Sequence, residues 1–310
     1  MPCFSDRLAA AVRRCGNPVL VGLDPRVDLL PEGMAPQADG ADLVAKAGAV
    51  SVFCLGVVDV VAPLVAAVKP QAAFFEQLGP PGMVILADVI QYAQERGLLV
   101  ILDAKRNDIG STAAAYADGI LGSQGQSAWG ADATTVSPYL GDDSLEPFVR
   151  VATERDAGLF VLVKTSNPGG GLFQDLVADG QPVYRHVARQ VEKLAEQTAG
   201  QCGYGAVGAV VGATYPEQLQ ELRAEMPHAW FLVPGFGAQG ATARDVAGAF
   251  DQQGLGAIVN SSRGIIFAYQ REEYAAAFGA SRWQEAVEAA TRAMIDQLRT
   301  DTPAARLVGG

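Results

Sequence analysis

The chain has 310 residues, of which 49% are apolar and 18% are charged, so it is long and apolar enough to bury a sizeable core. Its formal net charge is −11, and such an acidic chain repels phosphate backbones, which argues against a nucleic-acid partner. The four cysteines form no CxxC pair and the two histidines form no HxxxH pair. This composition predicts a cytoplasmic protein with reduced thiols, with neither a disulfide framework nor a metal site.

The N-terminal segment lacks a basic flank followed by an apolar run, so no signal peptide is predicted. Residues 8–13 predict a helix before the first strand. Residues 47–68 are long enough for a membrane span, which needs about 20 apolar residues. Asp59 and Pro63 interrupt this stretch. We therefore interpret it as a buried helix that runs into a buried strand, and we expect no association with a membrane.

Short apolar runs alternate with longer helical patterns along the rest of the chain. Most of these runs are continuously apolar, as expected for parallel strands that are covered on both faces. The predicted strands are 19–23, 65–68, 98–102, 133–136, 159–163, 206–211, 230–233 and 257–259. The predicted helices between and after them are 43–61, 81–96, 112–121, 144–155, 183–198, 216–225, 242–250 and 283–298.

Eight strand-then-helix units in this order predict a (β/α)8 TIM barrel, an α/β fold, with residues 1–310 forming a single domain. The competing fold is an open doubly wound sheet. That fold usually has fewer strands, and its nucleotide-binding glycine loop normally follows the first strand. The C-terminal helix is expected to close the barrel, and residues 302–310 are expected to form a loose tail.

Charged residues follow directly on several of the predicted strands. In a (β/α)8 barrel the active site lies at the carboxyl ends of the strands. Asp24, Lys69, Asp103 and Lys105 lie at such ends, so their charges are expected to converge on one barrel mouth. The alternative is that strand ends are polar because they meet solvent. That would explain one such charged residue more easily than all four.

The segment after strand three carries the densest charge. Asp103 and Lys105 are two residues apart, and residues at that spacing in a strand point to the same face. A carboxylate beside an ammonium group keeps the lysine protonated. Asp108 follows in the loop and could supply a second carboxylate, either here or in a neighbouring subunit. The alternative is that Asp103 and Lys105 form an ordinary ion pair at the surface.

Two glycine-rich loops follow later strands. Residues 235–240 fit G-x-G-x-x-G after strand seven, where barrels often bind phosphate with backbone amides at a helix start. Arg263, after strand eight, would hold phosphate oxygens with its guanidinium fork. A plain turn and a dinucleotide site are the alternatives for residues 235–240. Residues 166–171 form a polar, flexible loop after strand five, and such a loop is either a lid or an ordinary turn.

Residues 103–112 read Asp-Ala-Lys-Arg-Asn-Asp-Ile-Gly-Ser-Thr, which resembles the D-x-K-x-x-D-I-x-x-T signature of orotidine 5′-phosphate decarboxylases. The family's other stretches find similar counterparts in the same order, at Asp24-Pro25, Lys69-Pro70, residues 166–169, residues 234–240 and Ser262-Arg263. The resemblance spans roughly residues 19–267. The chain length and the Asn-Pro-Gly loop resemble the longer bacterial branch of the family.

The resemblance implies an activity and a set of site residues. Orotidine 5′-phosphate would lose CO2 to give uridine 5′-phosphate, the last step of pyrimidine synthesis, with no metal or organic cofactor. A homodimer with sites at its interface is implied as well. The catalytic residues implied are Lys105, which protonates C6, together with Lys69, Asp103 and the partner subunit's Asp108, which complete an alternating charge array. The implied binding residues are Asp24, Lys69 and the partner subunit's Thr112 for the ribose, Ser166 for the pyrimidine, and Gly235, Gln239 and Arg263 for the phosphate.

The chemistry of the reaction agrees with these roles. Decarboxylation at C6 leaves a carbanion with no adjacent π system to absorb the charge. A fixed ammonium group beside that carbon stabilises the developing charge and then donates a proton.

Three alternatives remain open. Related barrels, 3-keto-gulonate 6-phosphate decarboxylase and hexulose-phosphate synthase, share D-x-K-x-x-D but use Mg²⁺. The Asp-Ile-Gly-Ser-Thr continuation and the loop at Ser166 argue against them. A lysine Schiff-base aldolase is the second alternative, and a non-catalytic barrel that senses a nucleotide is the third.

Overall fold

The computed structural model describes residues 2–34, 42–123, 125–237 and 240–309. Within these residues, eight parallel strands close into a barrel in which each strand pairs with the next along the chain and the last pairs with the first. The predicted (β/α)8 barrel is therefore confirmed. The barrel strands are β1 (Val19–Leu23), β2 (Ala67–Pro70), β3 (Leu99–Arg106), β4 (Ala133–Val136), β5 (Gly158–Lys164), β6 (Val207–Val211), β7 (Phe231–Val233) and β8 (Ala257–Ser261).

Helices pack around the barrel and across its ends. Those in the described residues are α1 (Phe4–Cys15), α2 (Leu43–Val61), α3 (Ala72–Glu76), α4 (Gly79–Glu95), α5 (Gly110–Ile120), α6 (Glu146–Glu154), α7 (Gly171–Gln174), α8 (Val183–Gln197), α9 (Pro216–Glu225), α10 (Ala243–Val246), α11 (Arg263–Ile266), α12 (Glu272–Phe278) and α13 (Trp283–Asp301). The short helices α3, α7, α11 and α12 were not predicted, because fewer than three turns give too little periodicity to recognise.

Helix α1 covers the amino ends of the strands. Its buried Phe4, Leu8 and Val12 recur every four residues and so form one apolar face. The helix ends at Gly16, which adopts the left-handed backbone conformation that favours glycine at this position. Phe4 makes an edge-on contact with Phe160 of β5, with ring centroids 6.1 Å apart. The helix predicted at residues 8–13 is therefore present, but it is longer at both ends.

By length and composition α2 could cross a membrane, since its mean hydropathy reaches 1.9. In the fold it packs against α4 and α13. Val50, Phe53 and Val57 are fully buried, and Phe53 stacks on Phe267 and contacts Trp283. One face of the helix thus forms part of the apolar layer around the barrel, but only 39% of its apolar stretch is buried, so the interpretation of a buried helix holds for that face alone.

Strand β3 differs most from its predicted bounds. The apolar run predicts a strand at 98–102, whereas β3 continues to Arg106 and includes both Asp103 and Lys105. Its register with β4 is interrupted between Leu102 and Arg106. Lys105 has a φ of 47°, in the left-handed region, which costs a residue other than glycine about 1–3 kcal/mol. The charged end of β3 is therefore strained, irregular strand.

The helix predicted at 242–250 is shorter than expected. Helix α10 ends at Val246 and a 3-10 turn, Ala247–Ala249, follows it. A capping box fixes the start of α10: the backbone N–H and the hydroxyl of Thr242 both lie within hydrogen-bond distance of the Asp245 carboxylate, at 2.7 and 2.8 Å.

The expectation of a loose tail at residues 302–310 is wrong for the residues that the structure describes. Residues Pro303–Gly309 form a 3-10 helix. Ala304 and Leu307 are buried in the same apolar cluster as Phe4 and Leu8 of α1. The tail therefore packs beside the N-terminal helix, a contact between the two ends of the sequence that no local pattern reveals.

Candidate functional site

The carboxyl ends of the strands surround a cavity of about 410 Å³, a size typical of small-molecule sites. Seven residues proposed from strand ends and loops contribute to its lining: Asp24, Lys69, Asp103, Lys105, Ser166, Gly235 and Arg263. Charges that are far apart in the sequence thus lie around one barrel mouth.

Asp103 lies between two lysines. Its Oδ2 accepts a hydrogen bond from Lys69 Nζ at 2.7 Å, and its Oδ1 accepts one from Lys105 Nζ at 2.6 Å. The Lys105 side chain is 46% exposed but that of Asp103 is only 8% exposed, and Asp103 also pairs with Lys69, which is 4% exposed. Asp103 and Lys105 are therefore part of a largely buried array and do not form an ordinary surface ion pair. Burial by itself raises the pKa of the Asp103 carboxyl, but the two ammonium groups outweigh burial and hold that pKa well below its ordinary value. The carboxylate therefore stays ionised and holds both amines in place.

Two neutral side chains complete the hydrogen bonds of Asp103. Gln71 Nε2 donates to Oδ2 at 2.9 Å, and Thr135 Oγ1 donates to Oδ1 at 2.8 Å. Each carboxylate oxygen thus accepts two hydrogen bonds. Sequence reasoning assigned no role to Gln71 or Thr135. The available signals were an amide directly after Lys69-Pro70 and a hydroxyl within the apolar run of strand four.

Beside this array, two buried oxygens have no hydrogen-bond partner among the described residues. They are Oδ1 of Asp24, after β1, and Oδ1 of Asn260, in β8. Burial raises the pKa of the Asp24 carboxyl above its ordinary value, although the Lys69 ammonium acts in the opposite direction. Because an unsatisfied buried acceptor costs free energy, this edge of the cavity suits a ligand that supplies hydroxyl or N–H donors.

An apolar wall completes the lining, formed by Leu162, Val210, Leu232 and Phe236 from β5, β6, β7 and the loop after β7. Charges beside such a wall act in a medium of lower effective dielectric constant than water, so their fields are stronger. The cavity therefore combines an apolar wall with fixed charges, a combination that suits a ligand with both apolar and polar parts.

The end of the cavity near β7 and β8 contains Gly235 and Arg263. Arg263 is exposed and forms no ion pair with any other described residue, so its guanidinium can bind a ligand anion. The N–H groups of Gly237 and Gly240 bond within their own loop, to the carbonyls of Ala241 and Gly237. These two amides are therefore not the free donors that the G-x-G-x-x-G pattern predicts. Gln239, also predicted to bind phosphate, lies outside the described residues.

The loop after β5 brings Ser166 to the cavity. Gln174 of α7 fixes the preceding residue, because its Oε1 accepts from the Thr165 N–H at 3.0 Å and its Nε2 donates to Thr165 Oγ1 at 2.7 Å. Behind the loop, buried Lys164 pairs with Asp175. These contacts hold the two ends of the loop against each other, at Lys164–Thr165 and at Gln174–Asp175.

Asp108 and Thr112 do not line the cavity of their own chain. Both lie near the start of α5, where Thr112 is exposed and Asp108 is half-buried. Asp108 Oδ1 accepts a hydrogen bond from the Ile109 N–H at 2.8 Å. Their assignment to the site of a partner subunit stays a prediction.

The described residues contain no group of three or more His, Cys, Asp or Glu side chains placed to hold a metal ion. Beside Asp103, the cations in the cavity are the ammonium groups of Lys69 and Lys105. Lys105 is the more accessible of the two, with a side chain that is 46% exposed. A ligand that enters the cavity can therefore reach the Lys105 amine directly.

Known proteins share both this sequence and this fold. A sequence profile of the orotidine 5′-phosphate decarboxylase / HUMPS family matches residues 40–278. The chain is 57% identical over 301 residues to an orotidine 5′-phosphate decarboxylase of Rhodopirellula baltica, covering 96% of this chain and 100% of that protein. It is 44% identical over 268 residues to the decarboxylase of Deinococcus radiodurans, covering 86% and 90% of the two chains. The structure of Leishmania donovani OMP decarboxylase matches with a TM-score of 0.73 and 33% identity, covering 96% of this chain and 98% of that one. The chain belongs to the orotidine 5′-phosphate decarboxylase / HUMPS family.

Proposed function

We infer that this chain is an orotidine 5′-phosphate decarboxylase, a carboxy-lyase that forms uridine 5′-phosphate and CO2 in pyrimidine biosynthesis. The 57% identity to a curated decarboxylase over nearly the whole chain carries this conclusion. The Lys69–Asp103–Lys105 array supports it independently, because it puts an accessible ammonium group beside an apolar wall in a cavity of suitable size.

The proposed reaction needs only the side chains of the array. The bond between C6 and the carboxylate carbon breaks, CO2 leaves, and the electron pair stays on C6. The Lys105 ammonium stabilises this developing charge and then transfers a proton to C6, after which solvent reprotonates the amine. Asp103 holds Lys105 toward the cavity through the 2.6 Å hydrogen bond from Nζ to Oδ1. Its negative charge also lies close to where the substrate carboxylate would bind, so the two carboxylates repel each other before CO2 leaves.

The remaining side chains would orient the substrate. Asp24 and Lys69 bind ribose hydroxyl groups, and the unpartnered Asp24 oxygen supports this role because a hydroxyl can donate to it. Ser166 contacts the pyrimidine edge. Gly235, Gln239 and Arg263 bind the phosphate, which lies far from the breaking bond. Binding energy at the phosphate lowers the barrier when it helps to close loops over the site.

A cofactor-free reaction is part of this proposal, and it separates the decarboxylase from its Mg²⁺-dependent relatives. The test is to mix purified protein with orotidine 5′-phosphate in excess EDTA and to follow the pyrimidine absorbance. We expect complete conversion to uridine 5′-phosphate. Activity that disappears in EDTA and returns with Mg²⁺ would contradict the cofactor-free mechanism. Tight binding of uridine 5′-phosphate without turnover would instead identify a nucleotide sensor.

We further propose that the chain works as a homodimer in which Asp108 and Thr112 complete the partner's site. Their position outside the chain's own cavity supports this arrangement, since the array there has an exposed side at Lys105. The partner subunit's Asp108 would add a second carboxylate next to Lys105, and the partner subunit's Thr112 would donate to the ribose.

Mixing two inactive variants tests this exchange of residues. In a dimer of one Lys105→Ala chain and one Asp108→Ala chain, residue sharing leaves one site with both groups intact. Random exchange of subunits then restores about a quarter of the wild-type rate, because half of the dimers are mixed and each has one intact site out of two. If Asp108 acts in its own chain, the mixture stays inactive.

A cytoplasmic location completes the proposal. Its support is that all four cysteines are free thiols, as expected in a reducing compartment. Fractionation of cells should find the protein with the soluble cytoplasmic contents, and recovery with membranes or in the medium would contradict it.

A further inference from the structure

The Thr135 hydroxyl contacts both Lys105 and Asp103. The residue lies in β4 and is buried, with its hydroxyl between Lys105 and Asp103 of β3. The backbone N–H of Lys105 can only donate, so Thr135 Oγ1 accepts that hydrogen bond, at 2.9 Å. The Asp103 carboxylate is ionised and can only accept, so the hydroxyl donates to it, at 2.8 Å. One oxygen thus connects the backbone of the proton donor with the carboxylate that holds the donor's amine.

The irregular end of β3 explains why a side chain is needed at this point. Regular pairing between β3 and β4 stops at Leu102 and resumes at Arg106, so the ladder supplies no backbone acceptor for the Lys105 N–H. Lys105 itself has a left-handed backbone, which persists only where its surroundings enforce it. The Thr135 hydroxyl takes the place of the missing ladder acceptor and so restrains the turn from which the Lys105 side chain projects.

We propose that Thr135 is a positioning residue of the decarboxylation site: its hydroxyl fixes the Lys105 backbone and the Asp103 carboxylate relative to each other, so that the ammonium group points at the reacting carbon. This inference rests on the proposed function. Its expected signature is a loss in kcat with little change in ligand binding, because a displaced ammonium group affects the transition state more than the bound ground state.

The neighbouring residue provides a matched control. Thr134 is also fully buried in β4 but faces the opposite side of the strand, where its hydroxyl donates to the Leu102 carbonyl at 2.8 Å. Thr134→Val and Thr135→Val each replace a buried hydroxyl by a methyl group of similar shape. Only the second change removes a contact to the charge array. Thr135→Ser keeps the hydroxyl and serves as the conservative rescue.

The experiment measures kcat and KM with orotidine 5′-phosphate and the Kd of uridine 5′-phosphate for the wild type and these three variants. We expect Thr135→Val to lower kcat about tenfold to a hundredfold, as removal of one hydrogen bond to a charged group does, while the Kd changes less than about threefold. Thr135→Ser and Thr134→Val keep kcat within about threefold of wild type. Should Thr135→Val not fold, Thr135→Ala makes the same comparison.

Three results would overturn the inference: a kcat of Thr135→Val within about threefold of wild type, an equal loss of kcat in Thr134→Val, or a Thr135→Ser variant as slow as Thr135→Val. The second result would mean that any buried hydroxyl lost from β4 lowers activity by disturbing the strand. Failure of the proposed function looks different, because the wild-type chain itself would then show no turnover of orotidine 5′-phosphate.

Discussion

The barrel contains a buried, hydrogen-bonded carboxylate at each end, and the two serve different purposes. At the carboxyl ends of the strands, Asp103 accepts from two lysines, an amide and a hydroxyl. At the amino ends, Asp132 pairs with Arg7 of α1 through Oδ1, and its Oδ2 accepts from the Val100 N–H at 2.9 Å and from Gln94 Nε2 at 3.1 Å. The two carboxylates have similar burial and similar numbers of donors.

The two ends differ in what lies next to the network. The amino end is covered by α1 and by the C-terminal 3-10 helix, and its donors connect protein to protein. The carboxyl end opens into the cavity, where Lys105 is half-exposed and its backbone is strained. One oxygen each of Asp24 and Asn260 has no hydrogen-bond partner there among the described residues. A closed network stabilises the fold, whereas an open one keeps strained and unsatisfied groups available for a ligand. This division matches the general placement of catalytic and stabilising residues in barrels of this kind.

The prediction with the largest expected effect tests the carboxyl end of the barrel, which opens into the cavity. Lys105→Ala removes the proposed proton donor and the charge that stabilises the carbanion, so kcat should fall by at least about a thousandfold. The midpoint of urea unfolding should change little, because the Lys105 side chain is half-exposed and Asp103 keeps its hydrogen bonds from Lys69, Gln71 and Thr135. Lys193→Ala, at an exposed position of α8, is the control for loss of a lysine charge. A Lys105→Ala variant that decarboxylates at the wild-type rate would remove Lys105 from the mechanism.

The second prediction tests the amino end of the barrel, where the hydrogen bonds of Asp132 form the closed network. Asp132→Ala leaves Arg7 without its carboxylate and the Val100 N–H without its acceptor, so it should lower the free energy of unfolding by about 3–5 kcal/mol. Below the unfolding transition, kcat should stay within about threefold of wild type. Asp88→Ala, at an exposed position of α4, should change stability by less than about 0.5 kcal/mol. A stable Asp132→Ala variant with a low kcat would contradict the conclusion that the amino-end network serves stability and not activity.

The sequence predicts this organisation well where the signal is local or follows from the barrel itself. Apolar runs predict all eight strands, and the rule that sites lie at carboxyl ends then groups Asp24, Lys69, Asp103 and Lys105 correctly around one cavity. These four residues line that cavity because a strand end has little freedom in where it points once the barrel closes.

Contacts between distant segments were beyond prediction. The role of Thr135 depends on an interruption of the β3–β4 ladder, and the burial of Leu307 depends on α1, almost 300 residues earlier in the chain. The glycine pattern at residues 235–240 predicts free amides, but hydrogen bonds within the loop use two of them. The roles of Asp108 and Thr112 involve a second subunit, so neither the pattern nor the fold of one chain determines them.

The third prediction tests the phosphate end of the cavity. Arg263→Ala removes a guanidinium that has no ion-pair partner among the described residues, so the free protein loses little. Substrate binding should suffer, with KM for orotidine 5′-phosphate rising about a hundredfold, or about 2.7 kcal/mol. Orotidine, which lacks the phosphate, is the matched substrate, and its kcat/KM should be the same for the wild type and Arg263→Ala. An equal loss with both substrates would mean that Arg263 supports the site as a whole and does not bind phosphate.

The prediction with the smallest expected effect concerns the C-terminal 3-10 helix, which covers the amino end of the barrel. Leu307 packs its side chain into the cluster that contains Phe4 and Leu8, so Leu307→Ala should lower the free energy of unfolding by about 2 kcal/mol, at the low end for a buried leucine because the site lies near the surface. Leu172→Ala, at a position 69% exposed, removes the same atoms from solvent and should be nearly neutral for stability. Because the tail lies at the end of the barrel away from the cavity, kcat of Leu307→Ala should equal that of wild type. A loss of kcat without a loss of stability would show that packing at the amino ends reaches the charge array, and the two ends would then have to be treated as one coupled system.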